Sequence, residues 1–150
     1  MCLRDEEGNF MLAKTAWFSS LCAVDEGEAM CLYTILEWVA NIQVANLQFD
    51  NVDFVLDSKK VVDYFRTCID DSIEFDCIMY ASKHMFQDSL QNSLIEFSRG
   101  QTNGIAHELA KVTLCHASSN IYIDAPSCIR TVIYIDALSC IRTVIDNEIN

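Results

Sequence analysis

Two carboxylates stand where the sequence could do chemistry. Val52, Phe54 and Leu56 with Val55 form a short buried-strand signal that ends at Asp57, and Val61, Val62 and Phe65 recur at helical spacing directly after it. In open α/β sheets ligands gather beyond the carboxyl ends of strands, so an acid at such a strand-to-helix turn is a candidate site residue. The ordinary alternative is that Asp57 caps the following helix by accepting a backbone N–H from Lys59 or Lys60. Glu28 has the same double reading. It closes the run Asp25-Glu26-Gly27-Glu28 at the start of a helix, where acids suit the positive end of the helix dipole. Asp25 and Glu28 also have capping-box spacing, so the Glu28 carboxylate could reach back to the Asp25 N–H.

The elements that must hold these acids follow from apolar periodicity. Met1 to Phe18 contains two apolar runs split by Asp5-Glu6-Glu7-Gly8-Asn9, a polar link that fits a hairpin. Ser19 to Val24 connects to a helix whose stripe is Ala29, Leu32, Tyr33, Leu36, Val39 and Ala40. Helices are expected over Glu26 to Gln43, Ser58 to Thr67, Ser72 to Asp88 and Asn103 to Ala117, with Asn103 as an N-cap and His107 in the first turn, and a strand over Leu94 to Phe97. Two stretches are duplicated. Val39-Ala-Asn-Ile-Gln43 is followed by Val44-Ala-Asn-Leu-Gln48. Five extra residues turn a helical stripe by about 140° beyond a full turn, so the copy should loop out or prolong the helix. Ile121 to Val132 is repeated as Ile133 to Val144 with Pro126 against Leu138 as the one difference. Two copies do not make a solenoid, and the second is expected to be an appendage.

The chain has 150 residues, the length of one domain, and 51% hydrophobic residues with no uncharged run long enough for a membrane span. The first apolar run is short and followed by Arg4, Asp5, Glu6 and Glu7, unlike a secretory signal. An intracellular protein, nuclear or cytoplasmic and not secreted, is therefore expected, with no membrane partner. No two of the 8 cysteines stand at C-x-x-C spacing, and they are expected to serve as small core hydrophobes and not as metal ligands. A net charge of −12 argues against a protein that grips nucleic acid by its surface charge alone. It leaves room for a metal-dependent nuclease, whose carboxylates need cations that in turn meet the phosphates.

Three stretches together carry a resemblance: Val24-Asp-Glu-Gly-Glu-Ala29 with Leu32 and Leu36, Val55-Leu-Asp-Ser-Lys-Lys-Val-Val62, and Arg99-Gly-Gln-Thr-Asn-Gly-Ile-Ala-His-Glu-Leu-Ala110. Set in the order hairpin, acidic helix, strand ending in Asp-Ser, helix, strand and Ala-His helix, the chain resembles the plant, retroelement-derived branch of the RNase H type 1 family, often described as reverse-transcriptase-like. The similarity covers Met1 to Ser119, with a weaker echo in Pro126 to Ile129, and divides the chain into an RNase H-like domain over 1–119 and a C-terminal extension over 120–150. Removing one copy of the five-residue repeat restores the family's spacing between Glu28 and Asp57.

The resemblance implies an α/β fold, an RNase H-like mixed sheet flanked by helices, here with the central first strand absent. It implies Mg²⁺-dependent endonucleolytic hydrolysis of RNA in RNA–DNA hybrids, with four acidic positions holding two ions. Glu28 and Asp57 occupy two of these positions and are the catalytic and metal-binding candidates. His107 occupies a third. Imidazole suits Mg²⁺ less well than carboxylate, so His107 is expected to cap or pack. The remaining acid belongs to the opening strand, after which this chain starts. Cleavage is therefore expected to be weak or absent, with hybrid binding along the helix-bearing face. The alternative is a non-catalytic protein-interaction module or a truncated retroelement remnant. A missing middle strand would leave two inward edges, which either pair directly or promote self-association and poor solubility.

Overall fold

In the computed structural model, which describes residues 1–19, 22–44, 52–67, 73–99 and 104–130, the polar link near the N-terminus is a turn closed by one carboxylate. The elements run β1 (Cys2–Arg4), β2 (Phe10–Thr15), α1 (Val24–Val44), β3 (Asp53–Leu56), α2 (Lys59–Thr67), α3 (Ile73–Ser89), β4 (Leu94–Phe97), α4 (Gly104–His116) and β5 (Asn120–Tyr122). They fall into two compact units. One is continuous, Ser19–Arg99, and the other is split between Met1–Phe18 and Gly100–Asn150.

In the continuous unit the α1 stripe behaves as its spacing dictates. Ala29, Leu32, Leu36 and Val39 are buried, with Phe75 and Met79 of α3, Val61 and Val62 of α2, and Phe54 and Ile95 from the two strands. Fully burying one such large side chain stabilises a fold by roughly 1.5–3 kcal/mol, so these residues supply the main driving force. β3 and β4 pair in parallel from Asp53 opposite Leu94 to Leu56 opposite Phe97. Parallel strands need a long crossover, which α2 and α3 provide. Edge-to-face rings fix the aromatic layer: Phe65 on Phe86 at 5.2 Å between centroids and Tyr64 on Phe75 at 5.1 Å. Arg66 Nη2 donates to the Ile95 carbonyl at 3.1 Å and ties α2 to β4.

In the split unit, Asp5 accepts the backbone N–H groups of Glu7 at 3.1 Å and Asn9 at 2.7 Å, and the Asn9 side-chain amide at 3.0 Å. Gly8 sits in this turn at φ +83°, a conformation that favours glycine. The turn joins β1 to β2 antiparallel, with Leu3 opposite Leu12, and β5 adds to the other side of β2 with Ala13 opposite Tyr122. A small core of Ala13, Ile105, Leu109 and Ile129 forms between this sheet and α4. Asn120–Tyr122, at the start of the segment expected as an extension, is thus the third strand of this sheet.

Three expectations need correction or placing. Among the described residues the strands form a three-stranded antiparallel sheet, β1-β2-β5, in the split unit and a two-stranded parallel sheet, β3-β4, in the continuous one, a mix of sheets and helices consistent with the expected RNase H-like α/β fold. Of the cysteines among the described residues, Cys22, Cys31, Cys77 and Cys115 are exposed and so are not the core hydrophobes expected, while Cys2 and Cys128 are half-buried against the core of the split unit. Cys31 shows why, since it precedes the buried Leu32 and is turned about 100° from it around the helix. The Asn103 cap, most of the second Val-Ala-Asn-Leu-Gln copy and the whole second copy of the 12-residue repeat lie outside the described residues; α1 continues through Val44, the first residue of the former. No helix among the described residues is long and apolar enough to cross a membrane.

Candidate functional site

The turn after β3 settles which residue caps α2. Ser58 is buried, its hydroxyl accepts the Val61 N–H at 3.4 Å and its carbonyl accepts the Val62 N–H at 3.2 Å, so Ser58 is the N-cap. Asp57, one residue earlier, is exposed in the bend between strand and helix. The capping role anticipated for it is held by its neighbour. The same displacement occurs on α1. Glu26 Oε2 accepts the Ala23 N–H at 3.1 Å, the reciprocal half of a capping box, so Glu28 is not the residue that closes it. Among the described residues neither the Glu28 nor the Asp57 carboxylate has a hydrogen bond or ion pair.

Two further observations bring these acids into one neighbourhood. Lys60 Nζ lies 2.6 Å from Asp25 Oδ2, joining the first turn of α2 to the first turn of α1, and the same ammonium sits 4.9 Å from the centre of the Phe75 ring. The second is the Cys31 thiol, less than one helical turn beyond Glu28. Although the residue has an open face, its sulfur is crowded, and its pKa is raised first by desolvation and then by the charges of Glu28, Asp57 and Cys22. Both candidate carboxylates therefore act on one thiol. Nothing in the sequence spacing singled out Cys31.

His107 is in the split unit, exposed on the first turn of α4. It does not pack into a core as anticipated. Its charge acts on Glu108, whose carboxyl is held below the usual range mainly by a hydrogen bond from Lys111 at 2.6 Å and secondarily by the Lys111 and His107 charges.

A family model described as reverse transcriptase-like matches residues 1–113, three quarters of the chain and every element from β1 into α4. The chain belongs to the reverse transcriptase-like family. No curated protein and no solved structure matches it. Within this reverse transcriptase-like, RNase H-like domain the match includes Glu28, Asp57 and His107. Among the described residues no three His, Cys, Asp or Glu side chains are placed to share a metal ion. Two carboxylates beside a soft thiol are a poor donor set for a pair of hard cations, which prefer several oxygen ligands. Glu28 and Asp57 alone do not make up a two-ion centre among the described residues.

Proposed function

We propose that this chain is an RNase H-like nucleic-acid-binding domain that engages RNA–DNA hybrid and hydrolyses it weakly or not at all. The observation that carries the reading is the family match through α4, and the local geometry supports it. Glu28 and Asp57 act on the same thiol, while Glu26 and Ser58 take the capping tasks that would otherwise explain two acids there. Hydrolysis of a phosphodiester needs an activated water and a stabilised leaving 3′ oxygen. Glu28 and Asp57 by themselves do not assemble that machinery, so cleavage is expected to be weak or absent. With a net charge of −12, hybrid binding has to rest on local contacts and not on the whole molecule's field.

The test is a titration of labelled RNA–DNA hybrid at rising salt. The expected result is measurable binding that weakens steeply with salt, as phosphate contacts require, and that tightens in Asp57→Asn because one negative charge beside the backbone is removed. Absence of hybrid binding at low salt contradicts the proposal.

One observation favours a second reading, an interaction module that pairs with protein. Among the described strands β5 lies at the edge of its sheet, Ile121 on it is exposed, and Ile123 just beyond it is also exposed. Apolar strand edges are templates for another chain. Oligomers that persist at high salt would support that reading.

A further inference from the structure

Residues 121–130, the described part of the first 12-residue copy, do two structural tasks in the split unit. The first of them continue β5, where Tyr122 stands opposite Ala13 and Ile121 opposite Lys14. A bend at Ile123 and Asp124 then leads to a helical turn from Ser127 to Arg130. The Ile129 N–H donates to the Pro126 carbonyl at 3.0 Å, and Arg130 Nε donates to the Ala125 carbonyl at 3.0 Å. Ile129 is thereby fully buried in the core it shares with Ala13, Ile105 and Leu109, and Tyr122, Ala125 and Cys128 pack against that core. β2 and α4 thus form a seat, and the first copy is its occupant.

Residues 133–144 carry the same side chains in the same order. Tyr134, Ala137, Cys140 and Ile141 correspond to Tyr122, Ala125, Cys128 and Ile129, and Arg142 corresponds to Arg130. The one difference, Leu138 for Pro126, keeps the carbonyl that the turn uses. The residues just ahead of each copy match in chemistry as well. The Ser119 hydroxyl accepts the Trp17 N–H at 2.9 Å, and the Asn120 N–H donates to the Thr15 hydroxyl at 3.0 Å. Ahead of the second copy, Thr131 offers a hydroxyl and Val132 a backbone N–H at the corresponding positions.

We propose that the seat on β2 and α4 has two alternative occupants within one chain, the first copy and the second, and that seating either one releases the apolar residues of the other. This stands apart from the nuclease reading. With equal contacts, the length of the connection after α4 decides the balance. Seating the first copy closes residues 117–119, whereas seating the second closes residues 117–131. Loop closure weakens slowly with length, by about tenfold over this range, so the first copy holds the seat in about ten molecules for each one that seats the second. A tethered spare copy is present at an effective concentration on the order of millimolar, which favours it over a copy from another molecule.

The test measures hydrogen exchange of β2 and α4 in the intact chain, in Ile129→Asp, in Ile141→Asp and in the double variant. A carboxylate cannot enter the seat without a large desolvation cost, so each substitution removes one occupant. The expected result is a fall in protection of about tenfold in Ile129→Asp, no change in Ile141→Asp and loss of protection in the double variant. Iodoacetamide labelling read by mass spectrometry follows the occupant itself. In Ile129→Asp, Cys140 should react more slowly than Cys128, and in the double variant the two should react alike. Loss of protection in Ile129→Asp equal to that in the double variant overturns the proposal, and so does equal labelling of Cys128 and Cys140 in Ile129→Asp. Protection in Ile129→Asp that rises with protein concentration overturns it as well, because the seat is then filled by a second molecule.

Discussion

The continuous and split units use the chain in opposite ways. Ser19–Arg99 builds its core from elements that follow one another, with Leu32, Leu36, Val61, Phe75 and Met79 fully or almost fully buried. The split unit has four residues in its core and joins Thr15 to Asn120, whose N–H donates to the Thr15 hydroxyl at 3.0 Å across 105 positions of sequence. Local contacts form cheaply and early, whereas closing a long loop must precede the reward of the contacts it makes. Glu28 and Asp57 thus stand in the unit with the larger described core, and His107 in the unit with the smaller one.

The largest expected effect breaks the two units apart. Phe75→Ala should cost the continuous unit about 3–5 kcal/mol, and Ile129→Ala made together with Ile141→Ala should cost the split unit about 2–5 kcal/mol. Hydrogen exchange followed residue by residue is the check. Phe75→Ala should remove protection over Ser19–Arg99, and the paired substitution should do so over β2, α4 and β5 while α1 and α3 stay protected. A single melting event in both variants would mean that the units are not separately cooperative.

A smaller change sharpens the picture within the continuous unit. Ser58→Ala should destabilise by about 1 kcal/mol through loss of the cap, while Asp57→Ala should change stability by less than about 0.5 kcal/mol as a surface substitution away from the cap. Denaturant melts of the two variants measure this directly. An equal or larger loss in Asp57→Ala would return the capping role to Asp57 and remove one reason for reading it as a site residue.

Much of the fold was legible, and the exceptions have physical causes. The helix expected over Ser58 to Thr67 is α2, Lys59–Thr67, and the strand over Leu94 to Phe97 is β4, because strong periodicity and burial agree in both. β5 was not legible: three residues give too short a pattern, and their partner is far away in sequence. The division of the strands into two sheets is a matter of which edges find partners, and side-chain alternation is silent on that. At the site, the capping residue was not readable. Asp57 and Ser58 are adjacent residues of types that both cap helices, and only the direction of the backbone at the bend assigns the bond to Ser58.

The smallest expected effect lies in the split unit's turn. Hydrogen bonds from the Asn9 side chain and backbone, with smaller contributions from the Glu7 and Gly8 N–H groups, hold the Asp5 carboxyl below its ordinary value. A depressed carboxyl stabilises the fold above the unfolded pKa, and that contribution is lost as pH falls through the folded pKa. An NMR titration should find Asp5 protonating at lower pH than an ordinary aspartate, and Asn9→Ala should move it upward. An unchanged value in Asn9→Ala would show that the side-chain bond does not set it.

The most direct test of the central claim is a cleavage assay of the intact chain on RNA–DNA hybrid with Mg²⁺, run beside Asp57→Asn. On the proposed assignment of Glu28 and Asp57 to two of the family's acidic positions and His107 to a third, hydrolysis should stay at or near the blank in both proteins. Clear Mg²⁺-dependent cutting by the parent chain that disappears in Asp57→Asn would contradict the account and make Asp57 a working catalytic acid.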